Sequence, residues 1–368
     1  RALTVADRLG QDRILLAKWV RRLTKWNGRQ VASAIWEEKI VPLIREKLAA
    51  QQTPVVTFQS QAQRILAQTA TTVAARKLVD ILRALPEADV ALSLSNRKLA
   101  IASGKSRFNL QTLAAEEYPT VAQAEFTADF TLPASTFKYL LSMVHFAMAQ
   151  QDIRYYLNGM LLVVDGTTVR AVATDGHRLA LCEVTKDGAS SKIEAIIPRK
   201  TVLELSRLLP DSDDPVRVQM AANQVKFSFD NIELVSKLVE GKFPDYQRVL
   251  PAANTKVFAI GREDLQHALQ RAAILTTDKF KGVRMVLASG SLKITSTNAD
   301  QEDAQDELEI DYEGDGLDIG FNVNYLLDVL ANLKNEQIRF SLGDALGSAL
   351  ITMPDSERFK YVVMPMRI

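Results

Sequence analysis

The sequence has very little cysteine, since Cys182 is the one thiol among 368 residues. A single cysteine excludes an internal disulfide and fits a reducing cytoplasm. Because Cys182 lies in a strand pattern, we expect it to be a small buried apolar residue. No apolar run approaches the ~18 residues of a membrane span, and the opening residues lack the apolar segment of a signal peptide. A cytoplasmic protein with no membrane contact is therefore expected, and the missing initiator methionine indicates an artificial or partial start.

The net charge is also close to zero, because the sequence has 45 Lys and Arg residues and 44 Asp and Glu residues. A tight, nonspecific nucleic-acid binder is usually far more basic. Any association with DNA is therefore expected to be weak, local or topological.

Catalytic motifs are missing as well. The three histidines share no spacing, and we find no HExxH, CxxC, glycine-rich phosphate loop or nucleophile elbow. Asp175 and His177 could form an acid–base pair for hydrolysis, but a hairpin turn with a polar rim is the favoured interpretation. Residues 300–318 hold ten acidic and no basic residues without the regular ligand spacing of a calcium loop. They indicate a solvated or partner-facing strand edge, and neither a metal nor a cofactor is expected.

What the sequence does contain is an internal repeat. Segments 73–86, 197–210 and 321–334 align without gaps at a spacing of 124 residues, and each has the apolar spacing of a three-turn helix. The acidic residues that coincide are Asp80, Glu204 and Asp328. Alternating strands are predicted after each helix, at 90–94 and 98–103, 216–220 and 225–229, and 338–342 and 349–353. Residues 130–149 and 258–276 each predict a strand that enters an amphipathic helix.

These patterns predict an α+β protein of three tandem domains, each built of two strand–helix–strands units. The predicted domains are 1–122, 123–252 and 253–368. Residues 151–184 are expected to form three strands, at 153–164, 168–174 and 179–184, with turns at Asp165-Gly166 and Asp175-Gly176.

Residues 1–70 do not follow the repeat. They hold twelve basic and five acidic residues, all three tryptophans, and helical spacing where strands are expected. A basic helical arm for nucleic acid is one interpretation. An altered or misread half-domain, helical or poorly ordered, is the favoured one.

From residue 71 onward the sequence resembles the bacterial DNA polymerase III beta subunit family, the sliding clamps. The motifs that carry the resemblance are RYYLNGML at 154–161, TDGHRLA at 174–180, KFPDYQRVLP at 242–251, FNVNYLLDVL at 321–330 and YVVMPMR at 361–367. The resemblance implies an arc of three DNA-clamp domains, which is half of a ring closed by a head-to-tail homodimer. It implies a processivity factor of DNA replication that encircles duplex DNA without reading its sequence. As a non-catalytic subunit of a DNA-directed DNA polymerase, a nucleotidyltransferase complex, it would hold the polymerase on its template.

The resemblance also implies a groove for short peptides of replicative and repair polymerases, the clamp loader and other partners. The implied groove residues are Leu157, Thr174, Gly176, His177, Arg178, Leu179, Pro244, Arg248, Val249, Phe280, Asn322, Tyr325, Leu346, Ser348, Val362, Val363, Met364, Pro365, Met366 and Arg367. In this interpretation His177 and Arg178 form a polar rim and perform no chemistry.

Basic residues on the repeat helices and their entries are candidates for contact with the phosphate backbone. They are Arg76, Lys77, Arg83, Lys138, Arg199, Lys200 and Arg207. By resemblance, Gln151, Tyr155 and Tyr156 would touch single-stranded template. The implied dimer interface pairs Lys105, Arg107, Phe108 and Leu110 with Ile274, Leu275, Asp300, Glu302, Asp303 and Asp306 of the other subunit.

An alternative stays open at this point. If residues 1–70 replace part of a dimerisation domain, the chain would be a clamp-like peptide-binding module that cannot close a ring.

Overall fold

The computed structural model of the protein describes residues 71–85, 90–114, 124–277 and 280–368. The predictions for residues 1–70, including the half-sheet expected to be missing there, lie outside these ranges. Of the helices in the described ranges, none combines the length and apolar character needed to cross a membrane. The chain divides at residue 122 into two compact units.

The first unit has one helix and a four-stranded antiparallel sheet in its described part. Its elements are β1 (Thr71–Val73), α1 (Ala75–Ala84), β2 (Ala91–Ser95), β3 (Lys98–Ser103) and β4 (Ser106–Ala114). The strand order is β1-β4-β3-β2. Since β1 pairs only with the last three residues of β4, the segment 106–111 has a single neighbour, β3, among the described strands.

The second unit holds fourteen described strands and four α-helices. They are β5 (Ala128–Pro133), α2 (Ala134–Ser142), β6 (Gly159–Thr174), β7 (Arg178–Pro198), α3 (Arg199–Leu208), β8 (Pro215–Met220), β9 (Gln224–Phe229), β10 (Ile232–Lys237), β11 (Lys256–Gly261), α4 (Arg262–Ala273), β12 (Gly282–Ala288), β13 (Ser291–Thr297), β14 (Asp303–Glu309), β15 (Leu317–Asn322), α5 (Val323–Asn332), β16 (Gln337–Leu342), β17 (Ala349–Met353) and β18 (Ser356–Val363). Its sheets run β10-β9-β8-β5, β11-β16-β17-β18-β7-β6 and β14-β13-β12-β15.

The helices confirm the repeat. Helices α1, α3 and α5 are each ten residues long and begin at residues 75, 199 and 323, so the 124-residue spacing holds at both ends. The strand pairs predicted after them are β2–β3, β8–β9 and β16–β17. Helices α2 and α4 follow β5 and β11 directly, as their amphipathic segments predicted.

The core of the second unit lies between its sheets and helices. Helix α4 shows how the sequence builds it, because its buried residues Leu265, Ala268, Leu269 and Ala272 follow the i, i+3, i+4, i+7 spacing of one helix face. Helix α2 packs beside α3, and α4 packs beside α5. The pairing of β18 with β7 continues one six-stranded sheet across residue 252.

One strand prediction is wrong. The segments predicted as separate strands at 153–164 and 168–174 form a single strand, β6, and residues before it form a 3₁₀ helix, Tyr155–Leu157. No hairpin forms at Asp165-Gly166 because β7 is long enough to pair with both halves of β6. Gly166, at φ +57°, instead accommodates a bulge where the register shifts. The second predicted turn is confirmed, with Gly176 at φ +91°.

Cys182 is fully buried in β7, as predicted, and burial raises the pKa of its thiol to about 12. At pH 8 about one such thiol in ten thousand is a thiolate, against roughly a quarter of exposed cysteines. We therefore expect a thiol reagent such as DTNB to leave the native protein unmodified at pH 8 and to titrate one thiol per chain after denaturation. Rapid modification of the native protein would contradict this buried position.

Candidate partner-binding site

A pocket of about 210 Å³ opens in the second unit beside β6, β7 and β18. Its walls come from the ends of these strands, the 3₁₀ helix before β6, and the loop after β10. The lining residues are Arg154, Tyr156, Leu157, Thr174, Gly176, Arg178, Leu179, Pro244, Tyr246, Val249, Val362 and Met364. Most of this surface is apolar, and a pocket of this kind suits an aliphatic or aromatic side chain.

A small second hydrophobic cluster supports the pocket. Strands β6, β7 and β18 carry apolar residues on both faces, and the loop after β10 covers the second face. Phe243 anchors that loop by packing against the cluster and is 8% exposed. The cluster residues are Leu161, Val163, Val172, Leu179, Leu181, Ile196, Phe243 and Val362. Pro244, Tyr246 and Val249 follow the anchor and form one wall of the pocket.

Arg170 fastens the same loop from the sheet. Its guanidinium forms an ion pair with Glu183 on β7 and donates a hydrogen bond to the Tyr246 hydroxyl at 3.0 Å. The wall formed by Tyr246 is therefore held by a charged side chain as well as by apolar packing.

The turn between β6 and β7 forms another wall. The Asp175 carboxylate accepts hydrogen bonds from the backbone N–H groups of His177 at 2.9 Å and Arg178 at 3.0 Å. The Thr174 hydroxyl donates to the Arg178 carbonyl at 2.6 Å and accepts from the Gly176 N–H at 3.1 Å. These local bonds fix a sharp turn that an aspartate and a glycine favour.

Arg178 is the most enclosed charged group at the pocket. Its Nε donates to Asp175 at 3.1 Å, its Nη1 to Asp328 on α5, and its Nη2 to the Phe146 carbonyl at 2.8 Å. Its guanidinium carbon lies 4.5 Å from the centre of the Tyr325 ring. Burial alone would lower the pKa of Arg178, but Tyr361 and the Asp328 carboxylate more than offset this and raise it.

The two residues of the predicted polar rim differ in their exposure. His177 is exposed and stacks on Tyr325 with ring centres 6.4 Å apart. The Arg178 side chain is only 10% exposed. Sequence alone did not reveal that two carboxylates and a carbonyl converge on this arginine from three segments of the chain.

Arg154 supplies an accessible charge at the pocket mouth. It forms paired hydrogen bonds with the Asp152 carboxylate, at 3.0 and 2.8 Å, and donates to the Asp175 carbonyl at 3.0 Å. Hydrogen bonding from Arg154 lowers the pKa of Asp152 to about 2, so the pair stays charged at any physiological pH.

The C-terminal residues run from the pocket to the neighbouring sheet. The Met364 N–H donates to the His177 carbonyl at 2.9 Å, and the Met366 N–H donates to the Gly320 carbonyl at 2.8 Å. A Cβ on Gly320 would lie 2.5 Å from the Met366 carbonyl oxygen and 2.6 Å from Ile368. Glycine at 320 therefore lets the tail lie flat on β15, and the tail in turn places Met364 at the pocket.

The structure brings nine of the twenty predicted groove residues to the pocket lining. They are Leu157, Thr174, Gly176, Arg178, Leu179, Pro244, Val249, Val362 and Met364. The other predicted residues do not line it, and Val363, for example, is buried in the core. The prediction missed Arg154, Tyr156 and Tyr246 as lining residues, although all three lie inside the sequence motifs RYYLNGML and KFPDYQRVLP.

The basic residues predicted to contact DNA differ in their surroundings. Arg76, Lys77 and Arg83 are exposed on α1. Lys138 forms an ion pair with Asp211 at 2.8 Å. Other predicted members are the exposed Lys200 and Arg207, the latter paired with Glu204 at 3.4 Å.

Arg199 has a structural contact that the sequence did not predict. It is half-buried at the start of α3, and its Nη1 donates to the Met148 carbonyl at 3.1 Å. Of the predicted template contacts, Gln151 and Tyr155 are exposed, whereas Tyr156 lies in the pocket wall.

The acidic segment forms an edge strand, as predicted, because β14 ends its sheet among the described strands. Asp306 on this strand pairs with Arg271 on α4 at 2.5 Å. Nearby Ile274 is 77% exposed, which is unusual for a large apolar side chain. Phe108 and Leu110 are half-buried on the open segment of β4. The exposed charged residues predicted for the interface are Lys105, Arg107, Asp300, Glu302 and Asp303.

In the described ranges, no three His, Cys, Asp or Glu side chains are grouped so that they could hold a metal ion. Asp175 uses its carboxylate to hold the turn and Arg178, and His177 stacks on Tyr325, so neither is arranged as the acid–base pair considered from the sequence.

Family models match along the chain. The central-domain model of the DNA polymerase III beta subunit matches residues 131–245, the C-terminal model residues 247–367, and the N-terminal model residues 50–122. The chain belongs to the bacterial beta sliding clamp family. The N-terminal match begins at residue 50, so the likeness to the clamps starts before Thr71, where the sequence motifs had placed it.

Relatives among the beta sliding clamps are similar over most of their length. The beta sliding clamps of Pseudomonas aeruginosa and of Escherichia coli K12 are each 46% identical over 300 residues, which is 81% of this chain and 82% of theirs. A crystal structure of the P. aeruginosa beta subunit has a TM-score of 0.77 at 45% identity, covering 81% of this chain and 83% of that one. Another P. aeruginosa clamp structure, bound to griselimycin, has a TM-score of 0.76 at 45% identity and covers 81% of each chain. The expectation of three α+β clamp domains is therefore confirmed, and the chain is a sliding clamp of DNA replication.

Proposed function

We propose that this clamp is a cytoplasmic, non-catalytic processivity factor that closes into a ring of two chains around duplex DNA and docks partner peptides in the pocket beside β18. The observation that carries the proposal is the threefold repeat, with equal helices at residues 75, 199 and 323. Three similar domains per chain, at 1–122, 123–252 and 253–368, make six in a head-to-tail dimer. A heterologous contact between identical chains must either close or continue as a filament, and a pseudo-sixfold repeat lets two chains close.

The antiparallel pairing of β7 with β18 within the chain is a template for the proposed contact between subunits. In this antiparallel pair, Tyr361 lies opposite Ala180. The repeat makes Ala304 on β14 the equivalent of Ala180. If the hairpin β3–β4 is aligned with β17–β18 so that Ile101 corresponds to Ile351, Phe108 on β4 corresponds to Tyr361, because Tyr361 faces Ile351 as Phe108 faces Ile101. The same aromatic–alanine pair would then join β4 of one chain to β14 of its partner.

Among the described strands, both β4 and β14 have an edge without a neighbour, and these edges could form this pairing. Segment 106–111 of β4 pairs on one side, and β14 ends its sheet. Lys105 and Arg107 at the β4 edge complement the acidic β14 segment, and Phe108 and Leu110 would cover the exposed Ile274. Charge complementarity and a buried apolar centre are the usual anatomy of a specific interface.

The pocket suits an extended peptide from a polymerase, a clamp loader or a repair protein. Its apolar walls would hold one aliphatic or aromatic anchor, and the tail from Met364 to Met366 would border the rest of the peptide. The further predicted groove residues lie outside the pocket, and we propose them as the continuation of the groove. Among them Leu346 is 75% exposed and Phe280 is 39% exposed.

Contact with DNA would be weak and would not depend on sequence. The net charge is only +1, so the chain has little excess positive charge for binding phosphates. Two of the basic residues predicted to contact DNA, Lys138 and Arg207, are already paired with carboxylates. Weak phosphate contacts allow sliding, because a protein that neutralises many phosphates is held more tightly. Exposed Tyr155, with its ring edge-on to Tyr156 at 5.8 Å, would suit stacking with an unpaired template base.

Retention on circular DNA tests ring closure. The labelled protein is loaded by a bacterial clamp loader and ATP onto a nicked circular plasmid, and gel filtration then follows the protein with the DNA. We expect co-elution with the circle and loss within minutes of cutting the plasmid once, because a ring can slide off a free end. Equal retention before and after cutting would contradict topological binding.

The mass of the chain in solution separates the proposal from its alternative. A dimer at micromolar concentration is expected. A monomer that still binds peptide would favour the clamp-like module that cannot close, for which the unusual composition of residues 1–70 is the motivating observation.

A further inference from the structure

This inference rests on the proposed peptide pocket and concerns Asp328, which does not line it. Asp328 lies on α5, whereas the pocket turn lies between β6 and β7. Its carboxylate forms an ion pair with Nη1 of Arg178, whose side chain is 10% exposed. Arg178 does line the pocket.

The contacts of Arg178 come from separate segments. Asp175 holds its Nε from the turn, the Phe146 carbonyl holds Nη2 from the segment before β6, and Tyr325 on α5 lies against its face. Tyr325 is itself held, because the buried Tyr361 hydroxyl donates to its carbonyl at 2.8 Å. Asp328 connects the guanidinium to α5, and Tyr361 is a further hydrogen-bond partner that helps raise the pKa of Arg178.

A comparison of the repeat helices α3 and α5 shows that the equivalent acids have different partners. The equivalent acid on α3, Glu204, pairs within its own helix with Arg207 at 3.4 Å. An i, i+3 pair of this kind on a helix surface contributes little. At the same position on α5, Asp328 instead forms an ion pair with the buried Arg178. An acid at this repeat position is therefore connected to the pocket through Arg178.

We propose that Asp328 is a positioning residue for peptide binding, which holds Arg178 so that the pocket wall is formed before the peptide arrives. Without the carboxylate, Nη1 of Arg178 loses its ion pair with α5. Asp175, Phe146 and Tyr361 still contact the guanidinium, but the side chain is held less firmly against Tyr325. The pocket then has to be ordered when the peptide binds, and that ordering weakens affinity. The substitution should leave the packing of α5 intact, because Asp328 is not one of the buried residues of this helix. Those residues are Val323, Leu326, Val329 and Leu330.

The test measures peptide affinity by fluorescence anisotropy on the full chain. The probe is a fluorescein-labelled peptide with leucine and phenylalanine anchors. We expect Asp328→Ala to weaken binding about tenfold, while the dimer mass and the melting temperature stay close to those of the unmodified protein. Glu204→Ala, at the equivalent repeat position, is the matched control and should leave the affinity unchanged.

A double-mutant cycle separates positioning through Arg178 from a general structural role. If Asp328 acts through Arg178, the variant with both Arg178→Ala and Asp328→Ala should bind no more weakly than Arg178→Ala alone. Additive losses would overturn the inference, as would unchanged affinity in Asp328→Ala while the unmodified protein binds the probe. Absence of binding by the unmodified protein would overturn the proposed pocket function together with this inference.

Discussion

Replacing Ile274 with aspartate should turn the proposed dimer into a monomer at micromolar concentration. Ile274 is 77% exposed in the single chain, so the substitution removes little from the fold. In the proposed ring it would be buried against Phe108 and Leu110, where a carboxylate has no partner and loses its hydration. A central interface position contributes about 2 kcal/mol or more, and the ring has two such interfaces. The dissociation constant should therefore rise by about a thousandfold.

Analytical ultracentrifugation checks this result, and retention on circular DNA should be lost with the dimer. Ile153→Asp is the control, because Ile153 is also an isoleucine, is 97% exposed, and lies on neither proposed interface strand. It should leave the mass unchanged. A dimer that persists in Ile274→Asp at the same concentrations would show that the subunits meet elsewhere.

Replacing Val249 with aspartate should abolish most peptide binding. Val249 lines the pocket and is 41% exposed, so the chain tolerates a polar residue there. A peptide anchor would have to bury the new carboxylate in an apolar pocket, which costs about 2 kcal/mol or more. Affinity measured by anisotropy or calorimetry should fall by about 30-fold or more.

Val257→Asp is the matched control for that experiment. Val257 is 45% exposed and lies on β11, an edge strand of the six-stranded sheet, outside the pocket lining. It should bind peptide as the unmodified protein does, and both variants should remain dimers on circular DNA. Equal losses in the two variants would point to a general loss of the fold, and unchanged binding in Val249→Asp would remove the pocket from the proposal.

The sequence predicted most of the fold because the repeat presents each pattern more than once. The helices at 75, 199 and 323 share an acid and an apolar face, so coincidence among them is stronger evidence than any single pattern. The bulge at Gly166 was not predictable in this way. An Asp-Gly pair favours positive φ equally in a hairpin turn and in a bulge, and the choice depends on the length of the distant partner strand β7.

The pocket shows a similar limit. The motifs correctly predicted nine of its lining residues. They did not predict Tyr246, whose place in the pocket wall depends on its hydrogen bond with Arg170 on β6. Arg178 seemed solvent-facing because the sequence around it is polar. Its burial depends on Asp328 and Phe146, which are 150 and 32 residues away along the chain. Contacts of that range leave no local periodicity to detect.

Because the thiol of Cys182 is buried, the proposed ring could be trapped by an engineered disulfide. In the proposed ring, the register transferred from β7–β18 would place Arg107 opposite Gln305 of the partner subunit, because Lys360 lies opposite Leu181 in the chain itself. Opposite residues of antiparallel strands have Cα atoms about 4.5–5.5 Å apart, within the range a disulfide can bridge. A cysteine pair introduced at these two positions would meet no competing native thiol at the surface, so Cys182 would not have to be replaced first. Oxidation could then lock the protein ring around plasmid DNA after loading.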